Sequence, residues 1–280
     1  MDDRRFLKSI ISIITLLSLA GCSAAMIKAD YADDQIFCPP ETDMAGFAPP
    51  IGRELYCTRR ADNGMIVREG PAMTWYSEGK KFQQGHYSSD EKEGLWRSWH
   101  ENGVLMEETH FANGKREGGW QLWLPSGVKK FEGHYTNDEM NGLIREWSDA
   151  GILIKEIPHV AGKKSGEGKM YHPDGSLMAI ADFANDQLHG KETHFWPSGK
   201  PAREAFFKQG LVEGRVTQWH ENGQPKSIAQ VHNGKIEGTV TYWSPDGVVL
   251  GESIYQDDQL IRTQAAPSRR GPSSQPHPSP

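Results

Sequence analysis

Stretches of about six and then about nine residues follow one another along this chain, separated by polar breaks rich in Gly, Asn and Asp. Each stretch is long enough for a strand and too short for a typical helix. The breaks recur in strict register. A glycine returns every 24 residues at Gly70, Gly94, Gly118, Gly142, Gly166, Gly190, Gly214 and Gly238. Counting that glycine as position 0, position 5 is aromatic in every unit: Trp75, Trp99, Trp123, Trp147, Tyr171, Phe195, Trp219 and Trp243. A second glycine stands at position 9, as Gly79, Gly127 and Gly223, often preceded by Pro two residues earlier. Pro presets the first corner of a turn and glycine takes the left-handed conformation that closes a three-residue hairpin loop. Eight copies in one register make a repeat protein whose units contact mainly their neighbours.

Each unit therefore reads as a β-hairpin, and the chain as an all-β meander of about sixteen strands. The longer stretch ends on a second aromatic at position 17 (Tyr87, Phe111, Tyr135, Phe183, Phe207, Tyr255), with His159 and Val231 as exceptions. Position 15 is small in every unit but one: Gly85, Thr109, Gly133, Ala181, Ala205, Ala229 and Ser253 against Ile157. A small residue there leaves room for the neighbouring ring to lie on the sheet. If the loop pairs position 6 with position 10, odd positions share a face, which gathers both aromatic columns on one side. The other side then carries Glu108, Glu132 and Glu156 at position 14 and His86, His110 and His134 at position 16. One aromatic and one polar face suit an antiparallel sheet wetted on one side.

Units such as Gly94-Leu95-Trp96-Arg97-Ser98-Trp99-His100-Glu101-Asn102-Gly103, followed by Phe111-Ala112-Asn113-Gly114, resemble bacterial variant MORN repeats. The resemblance runs over 70–262. It implies an elongated, twisted antiparallel meander of stacked hairpins that serves as a protein- or lipid-interaction module. Some bacterial members carry an antitoxin label, so the resemblance also admits a neutraliser of a partner toxin.

The chain begins as an export signal would. Arg4, Arg5 and Lys8 precede an apolar run from Ile10 to Ala20, too short for a stable transmembrane helix. The run ends in Leu19-Ala20-Gly21-Cys22, which resembles a bacterial lipoprotein lipobox. That likeness implies a signal peptide over 1–21, acylation of Cys22 and attachment to the membrane. Ser23, where inner-membrane lipoproteins commonly carry Asp, favours the outer membrane, facing the periplasm or the cell surface. Two further cysteines, Cys38 and Cys57, remain in the exported part. In an oxidising compartment they most simply form a disulfide, worth roughly 3 kcal/mol for a loop of that size, the alternative being two reduced, buried thiols.

Residues 22–53 read as the lipidated cysteine and a Pro-containing linker, 54–69 as a degenerate capping hairpin, and 263–280 as a disordered Pro- and Ser-rich tail. Lys and Arg number 31 against 37 Asp and Glu, a formal net charge of −6 that argues against nucleic acid as partner.

Catalytic chemistry finds little purchase. Successive members of the His86, His110, His134 column lie two strand spacings apart, about 9.6 Å. Metal–nitrogen bonds are near 2.1 Å, so one ion cannot be shared along the column. No serine sits in a nucleophile elbow, and the recurring glycines are turn glycines. The expectation is a non-enzyme without cofactor or metal: a membrane-anchored, non-catalytic scaffold for an unknown protein partner in the envelope. A cell-wall glycan binder is a third reading, because aromatic rows stack on sugar rings. Trp96, Trp120 and Trp196 fall outside the aromatic columns and are the first candidates for a binding surface.

Overall fold

The computed structural model describes residues 36–266. The leader 1–21, Cys22 with the residues up to 35, and the tail from 267 onward lie outside the described residues. Within them, 22 strand segments form one antiparallel sheet. Three of these, Glu139–Met140, Lys163–Lys164 and Leu211–Val212, are short pieces of the strands that resume at Gly142, Gly166 and Gly214. Joining each to its continuation turns the 22 segments into nineteen strands. Every strand but the first and the last pairs with both its predecessor and its successor in the chain, so the sheet is a long meander of hairpins.

Two kinds of turn alternate. At the position-9 glycine, the Tyr76 N–H donates to Lys80 O at 2.8 Å and the Gly79 N–H to Tyr76 O at 3.0 Å. The same pair of bonds recurs in each of the eight units, with φ at the glycine between 77° and 94°. The second turn, in the polar break that ends each unit, is tighter than the length of that break suggests. Only two residues turn, both with positive φ, as at Ser89 (49°) and Asp90 (70°) or Asn113 (49°) and Gly114 (76°). Such two-residue turns match the right-handed twist of paired strands. The next strand starts at once, so the position-0 glycine lies inside a strand and not at its boundary.

That glycine marks a slip in pairing. Between β4 (Lys81–Ser88) and β5 (Glu91–Trp99), His86 pairs with Glu93 but Gln84 with Arg97, so Gly94, Leu95 and Trp96 together face Gly85. A positive φ there, 67° at Gly94, makes the bend easy for glycine alone.

A further bulge overturns the expected faces. Trp75 pairs with Lys81, yet Thr74 pairs with Gln83, leaving Phe82 as an extra residue; the same shift recurs in each hairpin. One inserted residue exchanges the faces of everything beyond it. The position-17 rings therefore share a side with position 2, whereas the position-5 aromatics share the other with the glutamates of position 14. The two aromatic columns are on opposite faces.

The core follows from this register. Ala72, Trp96, Trp120, Ile144 and Val240 at position 2 are buried, as are Ala181 and Ala205 at position 15. Each position-15 residue makes room for position 2 of the next unit. A Cβ on Gly85 would lie 2.2 Å from the Trp96 ring, and one on Gly133 would lie 2.3 Å from Ile144. Ile157 breaks the small-residue rule because its partner is Gly168, where a Cβ would meet Ile157 at 3.3 Å. Large and small have changed places.

The N-terminal end is more structured than a linker and hairpin. β1 (Asp43–Phe47) pairs along β2 (Glu54–Arg60), which pairs with β3 (Ile66–Trp75). Ile36 packs with Cys57, Met73 and Trp75 in a buried cluster. Residues 36–53, expected within the linker, belong to the cap because the unpaired edge of β2 accepts a strand and the apolar cluster accepts Ile36. A bond joins Cys38 to Cys57, with Cα atoms 5.4 Å apart. At the other end the last strand, Gln259–Ala265, runs past residue 262 into the stretch expected as disordered tail.

Candidate functional site

The three candidate tryptophans do not form a surface. Trp96 is 3 % and Trp120 9 % exposed. Trp96 meets the Tyr87 and Phe111 rings edge-on at 4.9 and 6.4 Å, its Nε1–H donates to His86 O at 3.0 Å, and Lys92 Nζ sits 4.1 Å above it. Trp120 stacks on Phe131 at 6.0 Å and donates to Glu107 Oε1 at 2.8 Å. Both occupy the position-2 core column that the bulge creates. Trp196 is half-buried at position 6, beside a hairpin loop. There other units reach to the next repeat: Tyr76 Oη–H donates to Trp99 O at 2.8 Å, and the His100 and His220 rings donate to Trp123 O and Trp243 O at 2.8 and 2.9 Å. The buried Trp196 Nε1–H has no such partner.

The histidine column is exposed and its members act separately. His110 Nδ1 bonds Gly119 O at 3.2 Å, while Glu108 turns to Arg97. Among the described residues no three His, Cys, Asp or Glu side chains converge as metal ligands.

Carboxylates instead stitch repeat to repeat. At position 23, Glu69, Glu93, Glu117, Glu213 and Glu237 each accept the turn N–H of the next unit, as Glu93 does from Asn113 at 3.0 Å. On the position-5 face, Arg145 bridges Glu132 and Glu156 at 2.8 Å each, and Tyr171 Oη–H donates to Glu156 at 2.6 Å. Burial and then the Glu156 hydrogen bond push the Tyr171 phenol up to about 12. The Tyr171 and Arg145 hydrogen bonds hold Glu156 below its ordinary 4.5. Burial works to raise Glu132, but hydrogen bonds from Lys129 and Arg145 outweigh it and the net shift is downward. The backbone N–H of Ser89 likewise lowers Glu69, and that of Arg68 lowers Asp90.

A carboxylate depressed in the folded state contributes stability above its unfolded value, and the contribution is lost as pH falls through the folded value. Thermal stability is therefore expected to hold from neutrality to about pH 5 and to fall below the unfolded carboxylate range near 4. Melting followed by circular dichroism between pH 7 and 2.5 checks this. An unchanged midpoint at pH 3 would contradict the ladder's role.

One buried polar group escaped the sequence reading. Glu192 is 8 % exposed at position 2, where other units place core residues, and it is paired with Arg203 and with His194 at 3.2 Å. Tabulating position 2 as a column would have exposed the anomaly.

Large apolar side chains left in water gather towards both ends of the described chain: Phe37, Met44, Phe47, Ile51, Met65 and Ile66 near the first are all more than half exposed. Phe206, Leu211, Val248, Val249, Leu250, Ile254, Leu260 and Ile261 are each at least 40 % exposed, whereas no position-5 or position-17 aromatic is among the exposed residues.

The MORN repeat variant family model matches residues 92–113, 164–185, 188–209, 212–233 and 236–257. The units are MORN repeat variants. Each matched window opens just after a two-residue turn and closes within the next, so the MORN unit is the intact hairpin and not the interval between position-0 glycines. The structure gives the unmatched stretch 114–163 the same MORN hairpins. No curated protein matches the chain. A solved structure described as the crystal structure of TcdB2-TccC3 aligns at 8 % identity and a TM-score of 0.16. The alignment covers 79 % of this chain and 17 % of that one, so the chain spans less than a fifth of that protein's length.

Proposed function

We propose that this chain is a lipid-anchored protein of the bacterial cell envelope whose MORN sheet is a non-catalytic scaffold for protein partners. The observation that carries the reading is the distribution of exposed apolar side chains. The position-5 and position-17 rings are packed, yet Phe206, Leu211 and the Val248–Leu250 run stand in water near the C-terminal end, as do Phe37, Met44, Phe47 and Ile51 near the N-terminal end. Exposed apolar groups gathered in one region mark contact surfaces more often than chance exposure does. A glycan reading draws on rows of free stacking rings, and here the position-5 and position-17 columns are taken up by packing. Anchoring rests on the Leu19-Ala20-Gly21-Cys22 segment, and the Cys38–Cys57 bond supports an oxidising compartment.

Two measurements test the reading together. Cys22→Ala is expected to abolish fatty-acid labelling and release the protein from membranes. Crosslinking pull-downs from envelope fractions are expected to recover a protein partner through 206–249, and a Phe206→Asp, Val248→Asp chain should lose it. A labelled Cys22→Ala protein would refute the anchor. Recovery of nothing but cell-wall material would refute the scaffold.

A further inference from the structure

The first and last strands of the sheet are finished very differently. β1 is five residues long, is followed by Pro49-Pro50, and carries Gly46 at a φ of 86°. Short, bent and proline-flanked edges resist addition of another strand. The last strand, Gln259–Ala265, has none of these devices. All seven residues are exposed, with no Pro, no Gly and one charge, Arg262.

It is also the half of an interface that the array completes everywhere else. In each unit the position-22 carbonyl accepts the position-20 N–H of the next unit, as Lys92 O does from Gly114 at 3.0 Å and Ile236 O from Asp258 at 3.1 Å. Leu260 stands at position 22 of the last described unit. At position 23, where four units and the cap carry a bonding glutamate, stands Ile261. Leu260 and Ile261 are 56 % and 59 % exposed, and Leu250 and Ile254 on the preceding strand are 57 % and 40 % exposed.

The chain's own continuation is a poor cover. Pro267, Pro272, Pro276, Pro278 and Pro280 follow, and a proline at such intervals cannot supply the N–H row of a strand. A head-to-tail contact would need the first edge, which is closed. From this we infer that Gln259–Ala265 is a self-pairing edge: two copies of the chain join antiparallel through this strand, about a two-fold axis. Such a contact is isologous and closes as a dimer without growing into a fibre. It pairs the bare backbone groups and sets Leu260 and Ile261 of one copy beside those of the other. A single arginine per strand leaves registers in which Arg262 does not face its twin.

The test places a benzophenone side chain at Ile261 in the full chain and irradiates cells. The expected product has twice the mass of the chain, and its crosslinked peptides come from this chain alone. The same side chain at Ser77, on an exposed loop far from the edge, should give none. Leu260→Asp, which sets two carboxylates near the axis, should cut the product about tenfold while the melting midpoint is unchanged. Ile261→Lys, read as loss of dimer in sedimentation equilibrium, provides a second variant should the first fold poorly. A product containing a different protein overturns the self-pairing and leaves the scaffold reading standing. Absence of any product, or an undiminished one in Leu260→Asp, overturns it outright.

Discussion

Trp96→Ala is expected to destabilise the first two MORN units by about 3–5 kcal/mol, the usual loss for emptying a buried tryptophan site. The ring is 3 % exposed and is held by the Tyr87 and Phe111 edges, the His86 carbonyl and the flat backbone of Gly85. Because repeat arrays unfold in parts, hydrogen exchange is the appropriate readout, with protection lost across 81–123 and retained beyond 200. A compensating change sharpens the claim. Gly85→Val alone should also be harmful, since its Cβ would lie 2.2 Å from the ring. In the Trp96→Ala background the valine enters the vacated space, so the double variant should be more stable than the sum of the two losses predicts. Strict additivity would mean that position 15 does not hold the next unit's position-2 side chain.

Cys38→Ala should loosen the cap by roughly 3 kcal/mol, the chain-entropy value for a loop of this size. The bridge ties the entering chain across β2 to the cluster of Ile36, Met73 and Trp75, in which Met73 is fully buried. Once it is gone, Ile36 can leave, and water reaches Trp75. The expected signs are a red shift in tryptophan emission and early exchange across 36–75, with the last four units unaffected. Unchanged exchange in the cap would show that Ile36 and β1 hold the segment without the bond.

The repeat, both turn sites and the hairpin class were legible because each rests on local chemistry. A glycine every 24 residues and Asn-Gly or Pro-Asp-Gly at fixed offsets state where the backbone must bend, whatever lies around it. The binding-surface assignment of Trp96 and Trp120 failed for a traceable reason. Simple alternation along the hairpin takes no account of the inserted residue, Phe82 in the first unit, and that single residue exchanges the two faces. A bulge leaves no compositional mark when the extra residue is an ordinary one. β1 was missed because five residues flanked by prolines look like a linker until an unpaired edge is there to receive them.

Length of unit, the two strands within it and the approximate site of each repeated turn were thus determined by the sequence alone, since a turn's conformation depends on the few residues that make it. Which side chains meet was decided by the tertiary structure. Gly85 under Trp96, Ile157 over Gly168 and the pairing of Glu192 with Arg203 each join residues of adjacent strands through a register that two bulges shift. No residue carries that register by itself; it exists only once neighbouring hairpins have packed.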